Sequence, residues 1–242
     1  MTNDNKSHIA SDIHWAEAID KVSPYVFKIR TPQGHGSGYL MTTRKSGLCG
    51  LATAWHVVDH ADEWDLPIKV QHHSSGKEIT LNSSDRAIYR RKDRDVALII
   101  FRPGEFDKLP AEDLTLVPRG KYLRQGLSIG WLGFPVVASH LLCFFEGKVS
   151  AHEENNESYL IDGVAINGVS GGPVFRAYGD NVDLIGCVSA YIPNRSTGES
   201  LPGICVVQSI EPFYTFIDQI QTIEDAREKA DEIKTEGTTP TE

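Results

Sequence analysis

Short apolar segments with β-strand character follow one another from residue 25 to residue 208, and turn residues separate them. Such spacing is typical of a β-sandwich or β-barrel and differs from the alternation of strands and long helices in parallel-sheet proteins. A polar, proline-containing stretch between Arg102 and Arg124 divides the segments into two groups. The pattern therefore predicts two β-lobes joined by a linker. The segments read YVFKIR, GSGYLMT, GLATAW, KEITLN, DVALIIF, LSIGWLGF, LLCFFEGKVS, SYLID, GPVFRA, VDLIGCVSAYI and GICVVQ.

A helix is predicted on each side of this body. Ser11 is placed to cap the first helix, and Ser23-Pro24 would end it. The apolar positions of that helix are Ile13, Ala16, Ile19 and Val22. The predicted organisation is an N-terminal segment and helix at 1–22, a first β-barrel at 23–110, a linker at 111–126, a second β-barrel at 127–210, a C-terminal helix at 211–232 and a disordered tail at 233–242.

Composition and charge exclude several classes of protein. The 242 residues are 40% hydrophobic and carry a net charge of -9, so a folded, acidic protein is expected and phosphate-backbone binding is disfavoured. No membrane-spanning or secretory segment is evident, and the expected location is the cytoplasm. The four cysteines lie far apart without metal-site spacing, which favours buried, reduced thiols.

Two segments carry candidate acid–base chemistry. In TAWHVV a strand of small and apolar residues ends and presents His56, a candidate general base. In DVALIIF an acid, Asp95, begins a strongly apolar strand. An ionised carboxylate beside a buried strand costs several kcal/mol unless it is paired, so Asp95 requires a partner. The alternative for Asp95 is a turn residue that stays in water.

The most specific segment is NGVSGGPVF at 167–175. Glycines on both sides of Ser170 permit a tight turn with positive φ and leave the hydroxyl exposed to a substrate. The same turn allows the N–H groups of Gly168 and Ser170 to point into one cavity, as an oxyanion hole requires. A glycine-rich hairpin without function is the alternative.

With His, Asp and Ser in this order, the sequence resembles the trypsin-like serine peptidases of chymotrypsin fold. The likeness extends to LIGCVS at 184–189, PGICV at 202–206 and the helix that follows. Within that group, GSGYL at 36–40, GKVSA at 147–151 and DGVAIN at 162–167 are more similar to HtrA-like bacterial proteases. The resemblance covers about residues 20 to 222, and a protease domain without a PDZ domain is expected.

The resemblance implies an all-β protein with two six-stranded antiparallel β-barrels and an active site between them. Ser170 would be the nucleophile, His56 the general base and acid, and Asp95 the carboxylate that orients the imidazole. The implied activity is serine endopeptidase cleavage of polypeptide substrates through an acyl-enzyme, without a cofactor or metal. Two rival functions remain: a peptide-binding module of the same fold with little turnover, and an effector protease kept inactive until a regulatory partner switches it on.

One departure from the family concerns activation. Secreted members place an acid directly before the nucleophile and pair it with a new N-terminal amine, whereas this chain has Val169 there. Activation by cleavage is therefore not expected. Either the oxyanion turn is preformed, or substrate, oligomerisation or a partner orders it.

Alignment with the family pattern back from Ser170 places Val164 and Ala165 at the floor of the specificity pocket. No carboxylate falls at that position to bind an Arg or Lys side chain. The other residues predicted to bind substrate are Asn167, Ser189, Ala190, Tyr191 and Gly203. Asp162 lies two residues before Val164, so a local shift would be needed to bring its carboxylate into the specificity pocket. This set predicts a preference for small or medium apolar P1 residues.

Other polar features are expected to lie at the surface. His60 follows His56 by four residues, but no third metal ligand is evident, and metal binding is not expected. His35 and His72 are interpreted as surface residues, and RAIYRRKDRD at 86–95 as a solvated basic turn.

Overall fold

The computed structural model describes residues 15–43, 47–104, 106, 109–193 and 200–236. Its first element is helix α1 (Trp15–Val22), which ends before a 3₁₀ turn that contains Pro24. The predicted helix end is thus confirmed. The buried stripe consists of Trp15, Ala18, Ile19 and Val22, the i, i+3, i+4, i+7 pattern of an amphipathic helix. Ala16 is exposed, so its predicted inward position was wrong, while Ser11 and Ile13 lie outside the described residues.

The first β-unit is a seven-stranded antiparallel sheet. Its end strands, β5 and β6, are not hydrogen-bonded to each other in the described part of the chain, so this unit is an open half-barrel. Helix α2 (Trp55–Glu63) leaves directly from the third strand. The order across the sheet is β5-β4-β1-β2-β3-β7-β6, where the strands are β1 (Val26–Thr31), β2 (Gly34–Thr43), β3 (Cys49–Ala54), β4 (Ile68–His72), β5 (Glu78–Leu81), β6 (Arg86–Arg91) and β7 (Val96–Phe101).

The second β-unit is a closed six-stranded barrel. Closure removes the exposed strand edges that would otherwise pair with other chains. Around the barrel the order is β10-β13-β12-β11-β8-β9, where the strands are β8 (Ser128–Gly133), β9 (Cys143–Glu153), β10 (Ser158–Asp162), β11 (Pro173–Tyr178), β12 (Asn181–Pro193) and β13 (Ser200–Ser209). The predicted all-β class with two barrel-like units is confirmed, with the difference that the first unit has seven strands and is open.

Strand β6 corrects the expectation of a solvated basic turn at 86–95. Arg86–Arg91 pair with β7, whose six residues are all buried, and only the last part of the segment forms a turn. Arg86 donates hydrogen bonds to the backbone carbonyls of Leu81, Ala61 and Leu66, and thereby ties β6 to helix α2. The strand was missed because its basic side chains serve tertiary contacts, which local composition does not report.

The chain closes with helix α3 (Glu211–Glu236). Phe213, Phe216 and Ile220 are buried in the hydrophobic core to which both β-units contribute, whereas Ile223 is 43% exposed. Within the described residues, no helix has the length and apolar character that crossing a membrane requires. All four cysteines are free thiols. Burial raises the pKa of Cys49 to about 11, so that thiol stays neutral near pH 7.

Candidate active site

His56 is placed by the junction of β3 with helix α2. Ala54 occupies the N-cap in an extended conformation, and its methyl side chain cannot cap the helix. Asp95 supplies the missing acceptors: its carbonyl accepts from Trp55 N at 3.0 Å, and its Oδ1 accepts from His56 N at 2.9 Å. The carboxylate therefore serves as the cap of α2, where the helix dipole also favours negative charge.

Asp95 itself sits at a bend between a 3₁₀ turn (Lys92–Arg94) and β7, with φ of 50°. Aspartate is among the few side chains that adopt this left-handed region readily. Its Oδ2 accepts from His56 Nδ1 at 2.8 Å and from the Ser189 hydroxyl. Because Nδ1 donates to the carboxylate, the second imidazole nitrogen, Nε2, is left free to accept a proton.

His56 and Asp95 shift each other's pKa values. Burial alone would lower the pKa of His56, but the hydrogen bond and charge of Asp95, with a smaller contribution from Asp59, outweigh it and raise the pKa above its ordinary value. Burial alone would raise the pKa of Asp95, but His56 and the Ser189 hydroxyl hold it below its usual range. At neutral pH Asp95 is therefore ionised and faces an imidazole that binds protons more tightly than usual.

Ser170 lies at the turn that enters β11. Its hydroxyl donates to the carbonyl of Ser189 at 3.2 Å, and no hydrogen bond joins it to His56 among the described residues. The two side chains nevertheless line one cavity of about 230 Å³, together with Asn167 and Gly168. The structure thus brings all three predicted catalytic residues to one place, with the Asp95–His56 contact already made.

The turn before Ser170 leaves two of its amide groups without hydrogen-bond partners in the described structure. The Asn167 carbonyl accepts from Val136 N at 2.7 Å, and because a trans peptide is planar, the N–H of Gly168 points the opposite way. Gly168 has φ of 93°, and a Cβ there would lie 2.4 Å from the Phe134 carbonyl, so only glycine fits. Within the described residues, neither Gly168 N nor Ser170 N has a hydrogen-bond partner.

A buried side chain of β2, Ser37, holds this turn from the other β-unit. Its N–H donates to the Ser170 carbonyl at 2.8 Å, and its hydroxyl donates to the Gly168 carbonyl at 2.8 Å. The same hydroxyl accepts from Phe134 N at 2.9 Å, and the Ser37 carbonyl accepts from the Thr53 hydroxyl at 2.8 Å. The N–H and hydroxyl of Ser37 therefore bind the second β-unit, while its carbonyl is satisfied by Thr53 within the first.

His35 is a site residue that sequence reasoning missed, since it was interpreted as a surface residue. It is half-buried and lines the cavity with His56 and Ser170. Its Nε2 lies 3.0 Å from the Phe134 carbonyl, so this nitrogen carries the proton. His72 was also misplaced: it is 1% exposed, with ring contacts to the Pro24 carbonyl and the Ser75 hydroxyl. Only its place opposite Phe27 in the β1–β4 pair could have signalled this.

The predicted substrate-binding residues are distributed around Ser170. Val164 is 48% exposed in the loop after β10, and Ala165 next to it is half-buried against the core. Asn167 borders the cavity. Gly203 has φ of 81°, and its carbonyl accepts from Gly163 N at 2.9 Å.

The other three predicted substrate-binding residues belong to β12. Ser189 was predicted at the cleft edge. Its carbonyl meets Ser170 there, whereas its buried hydroxyl positions Asp95. Ala190 and Tyr191 pair with Val206 and Cys205 on β13, and their side chains lie outside the described part of the structure.

No metal centre accompanies these groups in the part of the chain that the structure describes: no cluster of three or more His, Cys, Asp or Glu is arranged to hold a metal ion there. His60 lies one turn after His56 on α2, and its ring contacts Trp64, with 6.2 Å between centroids.

Comparison with known proteins identifies the family. A family model described as a trypsin-like peptidase domain matches residues 36–186. This chain belongs to the trypsin-like peptidase family. It is accordingly a serine peptidase, and the predicted resemblance is confirmed. No curated protein sequence matches this trypsin-like peptidase at a significant level.

Solved structures share its fold. The crystal structure of Deg5 is 22% identical with a TM-score of 0.61, and the match covers 83% of this chain and 90% of Deg5. The HtrA-type protease AlgW, solved with a tripeptide, is 24% identical with a TM-score of 0.63, over 85% of this chain and 63% of AlgW. The serine endoprotease from Yersinia pestis is 18% identical with a TM-score of 0.62, over 85% and 65%.

The contact between His56 and Asp95 predicts how the imidazole titrates. In the NMR spectrum, the His56 ring protons should titrate with a midpoint above the ordinary histidine pKa of about 6.5. Asp95→Asn should lower the midpoint, because the larger of the two charges that oppose burial is then removed. Asp59→Asn is the matched control and should change the midpoint less. A wild-type midpoint at or below the ordinary value would contradict the described contact.

Proposed function

We propose that this trypsin-like peptidase is a serine endopeptidase that hydrolyses peptide bonds through an acyl-enzyme, with His56, Asp95 and Ser170 as its catalytic triad. The proposal is carried by one observation: Asp95 Oδ2 holds His56 Nδ1 at 2.8 Å while the same imidazole shares a cavity with Ser170. A serine needs this arrangement to react, because its hydroxyl is a weak nucleophile until a positioned base accepts its proton.

In the proposed reaction, the Ser170 hydroxyl transfers its proton to His56 Nε2 as Oγ attacks the carbonyl carbon of the scissile bond. The tetrahedral intermediate then expels the amine, which takes the proton from His56. A water molecule repeats the two steps on the ester and releases the acid. Because only neutral imidazole accepts a proton, the rate should rise with pH through the raised pKa of His56.

Ser170 must change its hydrogen-bond partner for the first step. Its hydroxyl donates to the Ser189 carbonyl, and rotation about χ1 between staggered positions redirects Oγ towards the imidazole. Catalytic hydrogen bonds are often long or absent without substrate and tighten when it binds. The Ser189 contact is thus a resting position from which the nucleophile is released.

We assign the oxyanion hole to the N–H groups of Gly168 and Ser170. Both lie without a partner among the described residues, at a cavity that His56 also lines. Donors that are oriented before the reaction stabilise the developing charge without reorganisation, commonly the largest single contribution to catalysis.

The proposed oxyanion hole is held ready by Ser37 in place of an activating ion pair. Val169, at the position of the activating acid in secreted relatives, is fully buried and carries no charge. The Ser37 hydroxyl instead binds the Gly168 carbonyl, which fixes the peptide that follows Gly168. Of the two predicted alternatives, a preformed turn is therefore favoured.

We also propose a preference for small or medium apolar P1 residues. Val164 and Ala165, which precede the proposed nucleophile turn in the chain, carry only aliphatic side chains, and a buried carboxylate would be needed there to select Arg or Lys. Asp162, the nearest acid, is exposed at the end of β10.

Labelling with a fluorophosphonate tests the triad. The wild-type chain should react at Ser170, and Ser170→Ala and His56→Ala should not, because the probe needs an activated hydroxyl. Asp95→Asn should react about 10⁴-fold more slowly. Ser74→Ala, in an exposed turn, is the matched control and should label like the wild type.

The same assay separates the rival functions. A folded wild-type chain that binds peptides without labelling would be a binding module of this fold. Labelling only after addition of a cell extract would indicate a partner-switched effector. Mass spectrometry of the labelled peptide identifies the serine, and a label on any other serine would contradict the assignment.

The role of Ser37 is tested by Ser37→Ala. Loss of the hydroxyl leaves the Gly168 carbonyl and Phe134 N without a partner, and a buried unsatisfied group costs about 1–3 kcal/mol. We expect kcat for a peptide substrate to fall about ten- to a hundredfold with a smaller change in KM. Affinity for a peptide aldehyde, whose adduct oxygen occupies the oxyanion hole, should fall in parallel.

Thr53→Ser provides the control, since it keeps the hydroxyl that donates to the Ser37 carbonyl. It should retain nearly full kcat. An unchanged kcat and aldehyde affinity in Ser37→Ala would show that the turn does not depend on this hydroxyl.

Profiling with a peptide library tests the P1 preference. Peptides with Ala, Val or Leu at P1 should be cleaved at least ~10-fold faster than peptides with Arg or Lys. Ala165→Asp should move the preference towards Arg and Lys, whereas Asp162→Asn should leave it unchanged because that side chain is exposed. A strong Arg or Lys preference of the wild-type enzyme would refute the assignment.

A further inference from the structure

A second cavity, of about 300 Å³, is bordered by Phe134, whose carbonyl binds the His35 ring of the catalytic cavity. It is rich in cationic and imidazole side chains and has no carboxylate in its wall. Its lining residues are Lys28, Arg30, Gln71, His72, His73, Phe134, Ser139 and His140. We refer to it below as the cationic cavity.

The register of β1 and β2 ties this cavity to the catalytic machinery. Lys28 is paired with Ser37, and Arg30 is paired with His35, across the two antiparallel strands. Directly opposite residues project from the same face of a sheet. The two cations therefore share the face that carries Ser37, which holds the nucleophile turn, and His35, which lines the catalytic cavity.

Alternation along β1 keeps these cations out of the core. Phe27 and Ile29 are fully buried on the inner face, so Lys28 and Arg30 project from the outer face towards the Phe134 loop. Lys28 Nζ lies 5.9 Å from the centroid of the Phe134 ring, and the His73 ring lies 6.1 Å from the same ring. The aromatic ring thus forms a platform beside the ammonium group.

Lys28 has no anionic partner in the described part of the chain. Its ammonium donates to the Ser139 carbonyl, whereas Arg30 is paired with Glu78. Burial and the charge of Arg30 lower the pKa of Lys28. Burial and His72 lower the pKa of His73, so that ring is neutral near pH 7 and contributes hydrogen bonds instead of charge. The half-buried ammonium of Lys28 is therefore a cation that a bound carboxylate would satisfy.

The position of the cavity indicates which part of a substrate would reach it. From Ser170, the catalytic cavity extends along the β1–β2 hairpin through Thr31, Gln33 and Gly34. Val164 and Ala165, the proposed P1 pocket, do not border it. Since the P1 side chain and the leaving group lie on opposite sides of the scissile bond, the hairpin side is where the leaving half of the substrate runs.

We propose that the cationic cavity is a primed-side subsite for a carboxylate: an acidic side chain at one of the positions P2′ to P4′, or the C-terminal carboxylate of a short substrate. This inference rests on the proposed peptidase function and narrows its substrate class. Lys28 supplies the charge, and Ser139 and His140 border the same site.

Internally quenched peptides test the subsite. One set shares its unprimed half and P1 residue and carries Glu or Gln at P2′, P3′ or P4′, and a second set compares free with amidated C-termini. At low salt, the wild-type enzyme should cleave the best Glu peptide with a kcat/KM about three- to tenfold above its Gln partner. The ratio should shrink in about 0.5 M salt, because that concentration screens the attraction between the peptide carboxylate and Lys28.

Variants of Lys28 identify the charge responsible. Lys28→Met keeps most of the aliphatic stem, and its Glu-to-Gln ratio should fall to about one, while Lys28→Arg should retain a ratio above one. Lys121→Met, which removes the same charge outside the cavity, should keep the wild-type ratio. Thermal unfolding of each variant establishes that it is folded. A wild-type ratio of one at every position, or an unchanged ratio in Lys28→Met, would overturn the proposal.

Binding to the Ser170→Ala variant separates this proposal from the proposed function. Fluorescence anisotropy of the same Glu and Gln peptides measures the subsite without turnover. Tighter binding of the Glu peptide that depends on Lys28 supports the subsite even if no peptide is cleaved, in which case only the catalytic assignment fails. Equal binding of both peptides would refute the subsite even if the enzyme cleaves them.

Discussion

The half-buried charge of Asp95 is the constraint on which the rest of the site depends. Its carboxylate accepts three hydrogen bonds, two from His56 and one from Ser189. Because an unsatisfied buried charge is costly, β7, helix α2 and β12 must come together for this residue to be tolerated. Assembly of the site and docking of the two β-units are therefore one event.

Ser170 forms hydrogen bonds with both β-units. Its carbonyl accepts from Ser37 N in the first β-unit, and its hydroxyl donates to the Ser189 carbonyl in the second. The backbone contact is fixed, whereas the hydroxyl contact involves a single rotatable bond. The proposed nucleophile turn is thus fixed where an oxyanion would be held and free only at the hydroxyl that would react, as preorganisation requires.

The parts of this picture that could be predicted from sequence are those that local pattern encodes. Alternating strands indicate the fold class, and a serine in a glycine-rich segment predicts a nucleophile turn before any coordinate is known. The roles of Ser37, His35 and the Ser189 hydroxyl could not be predicted in this way. Ser37 lies 131 residues from Gly168, and no local property of either residue signals that they bind. Strand β6 was missed because its arginines read as solvent-exposed until their partners are known, such as the Ala61 carbonyl on α2 that accepts from Arg86.

The two-residue period of a β-strand explains why the proposed subsite lies next to the proposed catalytic residues. On β2, Ser37 faces the second β-unit and binds the proposed nucleophile turn, and His35 faces the same way and binds the Phe134 carbonyl. Their antiparallel neighbours on β1 project from the same face. The residues at positions 28 and 30 therefore project towards the proposed primed side, while Phe27 and Ile29 fill the core. The charge at these two positions can change without disturbing core packing or the catalytic contacts. In the proposed subsite, substrate selection would therefore depend on outward-facing residues that take no part in core packing.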